Sequence, residues 1–186
     1  MKEREADMNQ ELIVLVDNQG NPIGTAPKLE SHNENTPLHL AFSCFVFNDK
    51  GEFLLTQRAK SKKVFPGIWT NSLCGHPMPG EKTPDAIHRR LHEELGLTAD
   101  DIQVALPDFR YKAEMNGIVE NEICPVYVTQ VTQDPKPNPE EVEDYKWIVW
   151  SDFLKEIESN PKGYSVWSVE ETKQLKNNPA IEKFTT

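Results

Sequence analysis

Between Thr83 and Gly96 the chain carries both ends of a helix and its inner face. Thr83 is a good N-cap, Pro84 suits the first helical position, and Asp85 sets a carboxylate in the first turn. Gly96 is a natural residue just past a helix end, because it accepts the left-handed conformation. The spacing therefore predicts a helix over 84–95. Ile87, Leu91 and Leu95 recur every four residues, so one face is apolar and must be buried on something.

The flanking segments supply that something. Leu12 to Val16 (LIVLV) reads as a buried strand closed by the turn segment Asp17 to Pro22. Ala26 to Pro37 is polar and loop-like, and it carries His32. Leu38 to Phe47 and Glu52 to Arg58 read as strands joined by an Asn48-Asp49-Lys50-Gly51 turn. A basic loop, Arg58 to Lys63, leads into a Pro/Gly/Trp segment, Phe65 to Pro79. Beyond the helix, Tyr111, Ile118 to Val131 and Trp147 to Trp150 supply further strands. Asp134 to Glu143 reads as a loop, and residues 151–159 and 165–178 as closing helices. Hairpins, a central helix and terminal helices make one α+β domain. Residues 1–10 are charged and expected to be a flexible N-terminal segment, with the domain spanning 11–186.

Charge narrows the partners. The formal net charge is -10, which opposes a nucleic-acid backbone or an anionic membrane surface as main partner. A small anionic ligand needs only a local basic patch. No apolar run is long enough to span a bilayer, and the charged start does not read as a secretory signal. Three widely spaced cysteines, Cys44, Cys74 and Cys124, give no CxxC pair. Free thiols in a cytoplasmic protein are the expectation.

The residues suited to chemistry fall into three groups. Cys74 lies in a Gly/Pro-bounded loop two residues from His76, a better setting for a reactive thiol than those of Cys44 or Cys124. His88 and His92 lie four apart on the helix and read as partly exposed face residues. His32, His39 and His76 lie in or beside the loops and strands around Cys74. Glu120 and Glu122 alternate along a strand and so share a face. Buried like charges need a cation or a proton between them, which makes a nitrogen/oxygen metal set from these residues plausible.

Gly75, Glu81, Arg89, Leu91, Glu93, Glu94, Gly96 and Leu97 follow the Nudix spacing, Gly-x5-Glu-x7-Arg-Glu-apolar-x-Glu-Glu-x-Gly-apolar, over 23 residues. That pattern resembles a loop–helix–loop gathering carboxylates around Mg²⁺ on a diphosphate. One position departs: Arg90 stands where a Glu is expected, replacing a negative charge with a positive one.

Longer stretches are more specific. His39-Leu40-Ala41-Phe42, Ser61-Lys62-Lys63, Pro66 to Pro77 (with Asn71-Ser72-Leu73-Cys74-Gly75-His76-Pro77), Asp108 to Tyr111, and Glu120-Asn121-Glu122-Ile123-Cys124-Pro125-Val126 resemble the type I isopentenyl-diphosphate Δ-isomerases, a Nudix-fold family. The likeness runs from about Leu12 to about residue 175. It implies a mixed β-sheet core sandwiched between helices. It further implies Cys74 and Glu122 as the catalytic pair, assisted by Tyr111, with Trp167 as an aromatic lid. His32, His39, His76, Glu120 and Glu122 would hold one Mn²⁺, Mg²⁺ or Zn²⁺. Glu94 would hold a second Mg²⁺ on the diphosphate, and Arg58, Lys62 and Arg90 would contact that diphosphate. In this family the Arg90 departure is the rule. The implied partner is a small isoprenyl diphosphate, with a monomer as default. A Nudix pyrophosphohydrolase is the competing reading, and it leaves Cys74, Glu122 and the histidines idle. A metal-stabilised interaction module leaves the basic loop and the thiol unexplained.

Overall fold

Two long strands, bent at the same level, set the architecture of the computed structural model, which describes residues 11–185. The first strands are β1 (Leu12–Val16) and β2 (Pro22–Pro27), then a single-turn helix α1 (Lys28–Ser31). The first bent strand is β3 (His39–Leu40) continuing as β4 (Phe42–Phe47). After β5 (Glu52–Arg58) come two short strands, β6 (Trp69–Thr70) and β7 (Leu73–Gly75), and the helix α2 (Thr83–Leu95). Strands β8 (Ile102–Leu106) and β9 (Arg110–Met115) precede the second bent strand, β10 (Ile118–Ile123) continuing as β11 (Val126–Gln130). The chain closes with β12 (Val142–Val149), α3 (Trp150–Ser159), a 3-10 turn at Pro161–Gly163, α4 (Val166–Leu175) and α5 (Pro179–Thr185).

The bent strands run parallel to each other through two sheets. β3 pairs with β10 in a five-stranded sheet ordered β2-β1-β3-β10-β9, and β4 pairs with β11 in a sheet ordered β12-β5-β4-β11-β8. The second sheet also takes β6 on β5 and β7 on β4. At the crease, Ala41 N–H donates to the Ile123 carbonyl at 2.9 Å and Ser43 N–H to Pro125 at 3.1 Å. Pro125 has no N–H to give the ladder, which suits it to the break. The expected continuous strands 38–47 and 118–131 are therefore each two strands in different sheets.

β4 is buried on both faces, and its alternation divides the core. Phe42, Cys44 and Val46 pack with Leu54, Leu73, Ile87, Leu91 and Leu95 under α2. Phe45 and Phe47 face Phe53, Trp150, Phe153, Trp167, Leu175 and Ile181 under α3, α4 and α5. The seven-stranded sheet is thus sandwiched between helices, as expected. Ile87, Leu91 and Leu95 are fully buried.

Several boundaries differ from the sequence reading. α2 begins at Thr83, with Lys82 in the extended capping position; the Lys82 carbonyl accepts from Ala86 N–H and no side chain caps the helix. Gly96 is left-handed at φ 61, as expected. β2 and β8 are strands that the sequence did not announce, because neither alternates cleanly. The last sheet strand runs over 142–149, and Trp150 opens α3 rather than ending the strand. The span 165–178 stops at Leu175; Asn178 Oδ1 then accepts from Ala180 N–H and starts α5. Residues 1–10, expected to be flexible, lie outside the described residues. No described helix is long and apolar enough to cross a membrane.

Candidate active site

Strand register assembles the centre of a cavity of about 580 Å³. Asn116 (φ 54) and Gly117 (φ 77) form a two-residue turn with both φ values positive, the kind that fixes hairpin register. That register sets Tyr111 opposite Glu122, while the parallel pairing of β3 and β10 sets His39 on the other side of Glu122. Cys74 comes from the second sheet, in register with Ser43 of β4. Cys74, Tyr111, Glu120, Glu122 and Trp167 all line the one cavity. The crease between the sheets therefore brings a thiol and a carboxylate to a common space.

The three imidazoles meet at Glu122. His39 Nε2 and His76 Nε2 are 3.2 Å apart, and they lie 3.3 and 3.0 Å from Glu122 Oε1. His32 Nε2 lies 3.2 Å from Glu120 Oε2. Nδ1 of His32 faces the Lys28 carbonyl at 2.6 Å and Nδ1 of His39 the Pro37 carbonyl at 2.8 Å. A carbonyl only accepts, so both Nδ1 atoms carry hydrogen, and in the neutral ring each Nε2 presents a lone pair. Nε2 of His39 and Nε2 of His76 converge on one oxygen of Glu122, a donor set that a cation completes. One candidate ligand atom from each of His32, His39, His76 and Glu122 lies within 4.8 Å of the others. Glu120 stands at the edge of this set. Its Oε2 and His76 Nδ1 are buried without a hydrogen bond among the described residues. The residues present fit a divalent metal ion.

Electrostatics separate these groups. Burial pushes His76 down to about 3 despite Glu122. Burial also works against charge on His39, but its bonds to Glu122 outweigh that and the net shift is upward. Glu122 is likewise buried, yet His39 and His76 hold its carboxyl well below the usual range, whereas burial and Glu122 together raise Glu120. Burial, then Glu122 and Glu120, push Tyr111 well above an ordinary phenol. Burial, then Glu171, raise Cys74.

Cations gather at the mouth. Arg58, Lys62 and Arg90 line the cavity, and Lys28 and Lys63 join them. Arg58 donates to the Val64 carbonyl (2.8 Å) and to that of Phe65 (3.0 Å), tying down a loop in which Phe65 has φ 48. Its guanidinium also lies 5.7 Å from the centre of the Trp167 ring. Lys62 is ion-paired with Glu141, and Arg90 lies 3.4 Å from the same residue. Burial and the Arg58 charge push Lys62 downward. Trp167 is 2% exposed, edge-on to Phe65 at 5.0 Å and 5.5 Å from Tyr111.

Of the residues that the resemblance places in the site, two stand off the cavity wall. His39 is fully buried behind His76 and Glu122. Glu94 is buried against Arg90, whose Nε donates to its Oε1 at 2.8 Å. Burial raises Glu94, with Arg90 pulling the other way. His88 and His92 are exposed and apart from the cluster. The acid of the Nudix spacing before α2 has a scaffolding place: Glu81 takes two bonds from Arg89, at 2.9 and 2.8 Å, and Arg89 also donates to the His76 carbonyl at 3.3 Å. Sequence reasoning missed Lys28, whose loop looked merely polar, and Phe65, whose ring backs Trp167.

The NUDIX domain profile matches residues 37–167, which sets the class. The fold agrees: a Deinococcus radiodurans protein superposes with TM-score 0.63 at 20% identity, over 80% of this chain and 90% of that one. An isopentenyl-diphosphate Delta-isomerase of Paenarthrobacter aurescens (strain TC1) is 53% identical over 84% of this chain and 86% of its own length. One from Saccharopolyspora erythraea is 51% identical over 91% and 90%. The chain belongs to the Nudix family and, within it, to the isopentenyl-diphosphate Delta-isomerases.

Proposed function

We propose that this chain converts isopentenyl diphosphate to dimethylallyl diphosphate for isoprenoid biosynthesis, with Cys74 and Glu122 as the two proton-transferring groups. The observation that carries this reading is the placement of both on one cavity with a cationic mouth. The reaction is a 1,3-proton shift: one proton enters at the terminal alkene carbon and one leaves the carbon beside the oxygen-bearing carbon. An unactivated alkene is a very weak base, so its protonation needs a positioned acid. The tertiary carbocation that results is stabilised by the π-face of Trp167 and protected by exclusion of water. Tyr111, paired in register with Glu122, supports that carboxylate. Arg58, Lys62 and Arg90, with Lys28 and Lys63, hold the diphosphate, which stays bonded to the substrate and serves as a handle.

His32, His39, His76, Glu120 and Glu122 would hold one Mn²⁺, Mg²⁺ or Zn²⁺, and Glu94 would serve a Mg²⁺ that arrives with the diphosphate. A cation at the histidine cluster would fix Glu122 and make a proton on it more acidic. Residues 11–186 act as one catalytic unit, working as a monomer in the cytoplasm on a small-molecule substrate.

Incubation with isopentenyl diphosphate and Mg²⁺, followed by NMR, should show dimethylallyl diphosphate with both phosphates retained. Cys74→Ala and Glu122→Gln should each lower the rate by at least about 10³-fold, as expected for loss of a general acid or base. Near-wild-type turnover in either folded variant would overturn the assignment. Release of phosphate at a rate rivalling isomerisation would favour hydrolysis instead.

A further inference from the structure

Behind Cys74 runs a buried hydrogen-bonded chain that the proton shift described above does not use. Glu171 lies four residues beyond Trp167 on α4, so the two share a helix face. Glu171 and Asn71 are both fully buried. Asn71 Nδ2 donates to Glu171 Oε2 at 2.7 Å, and Asn71 Oδ1 accepts from Cys74 Sγ at 2.8 Å. Ser43 stands beside the chain, with its Oγ 3.5 Å from the sulfurs of both Cys74 and Cys124. Glu171 Oε1 has no hydrogen-bond partner among the described residues.

An amide has one donating end and one accepting end. With the donor end of Asn71 committed to Glu171, the acceptor end must face the sulfur. Were the amide reversed, its NH₂ would meet the thiol and its carbonyl would meet a carboxyl oxygen. Only the observed orientation satisfies both contacts while Cys74 is a hydrogen-bond donor. The carboxyl is itself unusual: burial raises Glu171 most, Ser43 and Asn71 pull it back, Glu122 and Glu170 add a smaller rise, and the net is about 8. A polar group this deep has no solvent to reward it, and its one strong contact leads to the thiol.

We propose that Glu171 is a positioning residue for the proton shift: by fixing the orientation of the Asn71 amide it sets where the Cys74 sulfur lies and directs its S–H bond. This rests on Cys74 being a proton-transferring group. The chain reaches the substrate only through Cys74, so its effect belongs to the chemical step and not to diphosphate binding.

The test compares Glu171→Leu, Glu171→Gln and Asn71→Leu with the wild type. Glu171→Leu should lower kcat by about 10- to 100-fold with KM for isopentenyl diphosphate shifted less than about 3-fold, the pattern of a misplaced reacting group. Glu171→Gln should recover most of the rate, because its carbonyl can accept from Asn71. Asn71→Leu should match Glu171→Leu, and the double variant should lose little more. Infrared spectroscopy supplies a direct reading. The Cys74 S–H stretch, identified by its disappearance in Cys74→Ala, should lie at the frequency of a bonded thiol. It should move to the free-thiol position in Glu171→Leu but not in Glu171→Gln. A free-thiol band in the wild type overturns the proposal whether or not any Glu171 variant folds. So does a folded Glu171→Leu with wild-type kcat. Full turnover in Cys74→Ala would instead remove the isomerase roles, and the S–H band would still report the chain.

Discussion

Single residues in this site act through what stands behind them. Trp167 lines the cavity, with Phe65, Tyr111 and Arg58 packed around its ring. Trp167→Phe should therefore keep partial turnover, since a weaker π-face remains, whereas Trp167→Leu should be at least about 10-fold slower again. Equal rates for the two would show that packing alone matters. Gly75 is similarly constrained: a Cβ there would lie 2.8 Å from the buried Phe42 ring and 3.3 Å from Arg90. Gly75→Ala should cost about 1–3 kcal/mol in a denaturant melt, as overpacking does, and should raise KM by displacing Arg90. Cys74, His32, His76, Glu120 and Glu122 were legible from residue type and spacing, whereas Tyr111, Trp167, Arg58, Lys62 and Arg90 were legible only through the family resemblance. Glu171 was not. Nothing in a helical stretch of alternating polar residues reveals which glutamate faces inward until the helix is docked.

At the scale of elements, α4 couples stability to acidity. The carboxyl of Glu171 rises from an ordinary 4.5 to about 8. The folded state therefore keeps a proton that the unfolded chain releases above about 4.5. Stability must fall as pH rises between those two values, by about 1.4 kcal/mol per pH unit, and level off above the higher one. Glu171→Gln removes the titration. Its melting temperature should match that of the wild type near pH 4.5, exceed it increasingly up to about pH 8, and then keep a constant lead; a lead independent of pH would refute the linkage. The groups facing Glu171 are Asn71 and Ser43, which lower it, and Glu122 and Glu170, which raise it. α2 was readable from its punctuation and its four-residue apolar repeat. β2 and β8 were not, because β2 is mostly exposed and β8 mostly half-buried, and neither leaves an alternation to read. α5 escaped notice because Asn178-Pro179 looked like the end of a helix when it is also the start of the next.

For the whole molecule, the cluster of His32, His39, His76 and Glu122 is where the parts meet, and it could hold a metal ion. Exhaustive chelation should remove about one ion per chain, abolish turnover and lower the melting temperature, because an ion bound only by the folded state stabilises it. Elemental analysis and calorimetry before and after readdition of Mn²⁺, Mg²⁺ or Zn²⁺ check this; a chelated enzyme at full speed would refute it. That two sheets share a crease could not be read from the sequence, since within 118–131 only Pro125 hints at a break. The crease also has a temporal meaning. His39 and His76 are separated by 37 residues and His76 and Glu122 by 46. The parallel pairing of β3 with β10 sets Glu122 beside His39 across both intervals together, a large loop that closes slowly. The ion site cannot exist until β10 has docked beside β3, so on a ribosome the nascent chain is blind to metal until most of its length has emerged. An ion held there would act as a receipt for completed folding, issued only to chains whose two sheets have met.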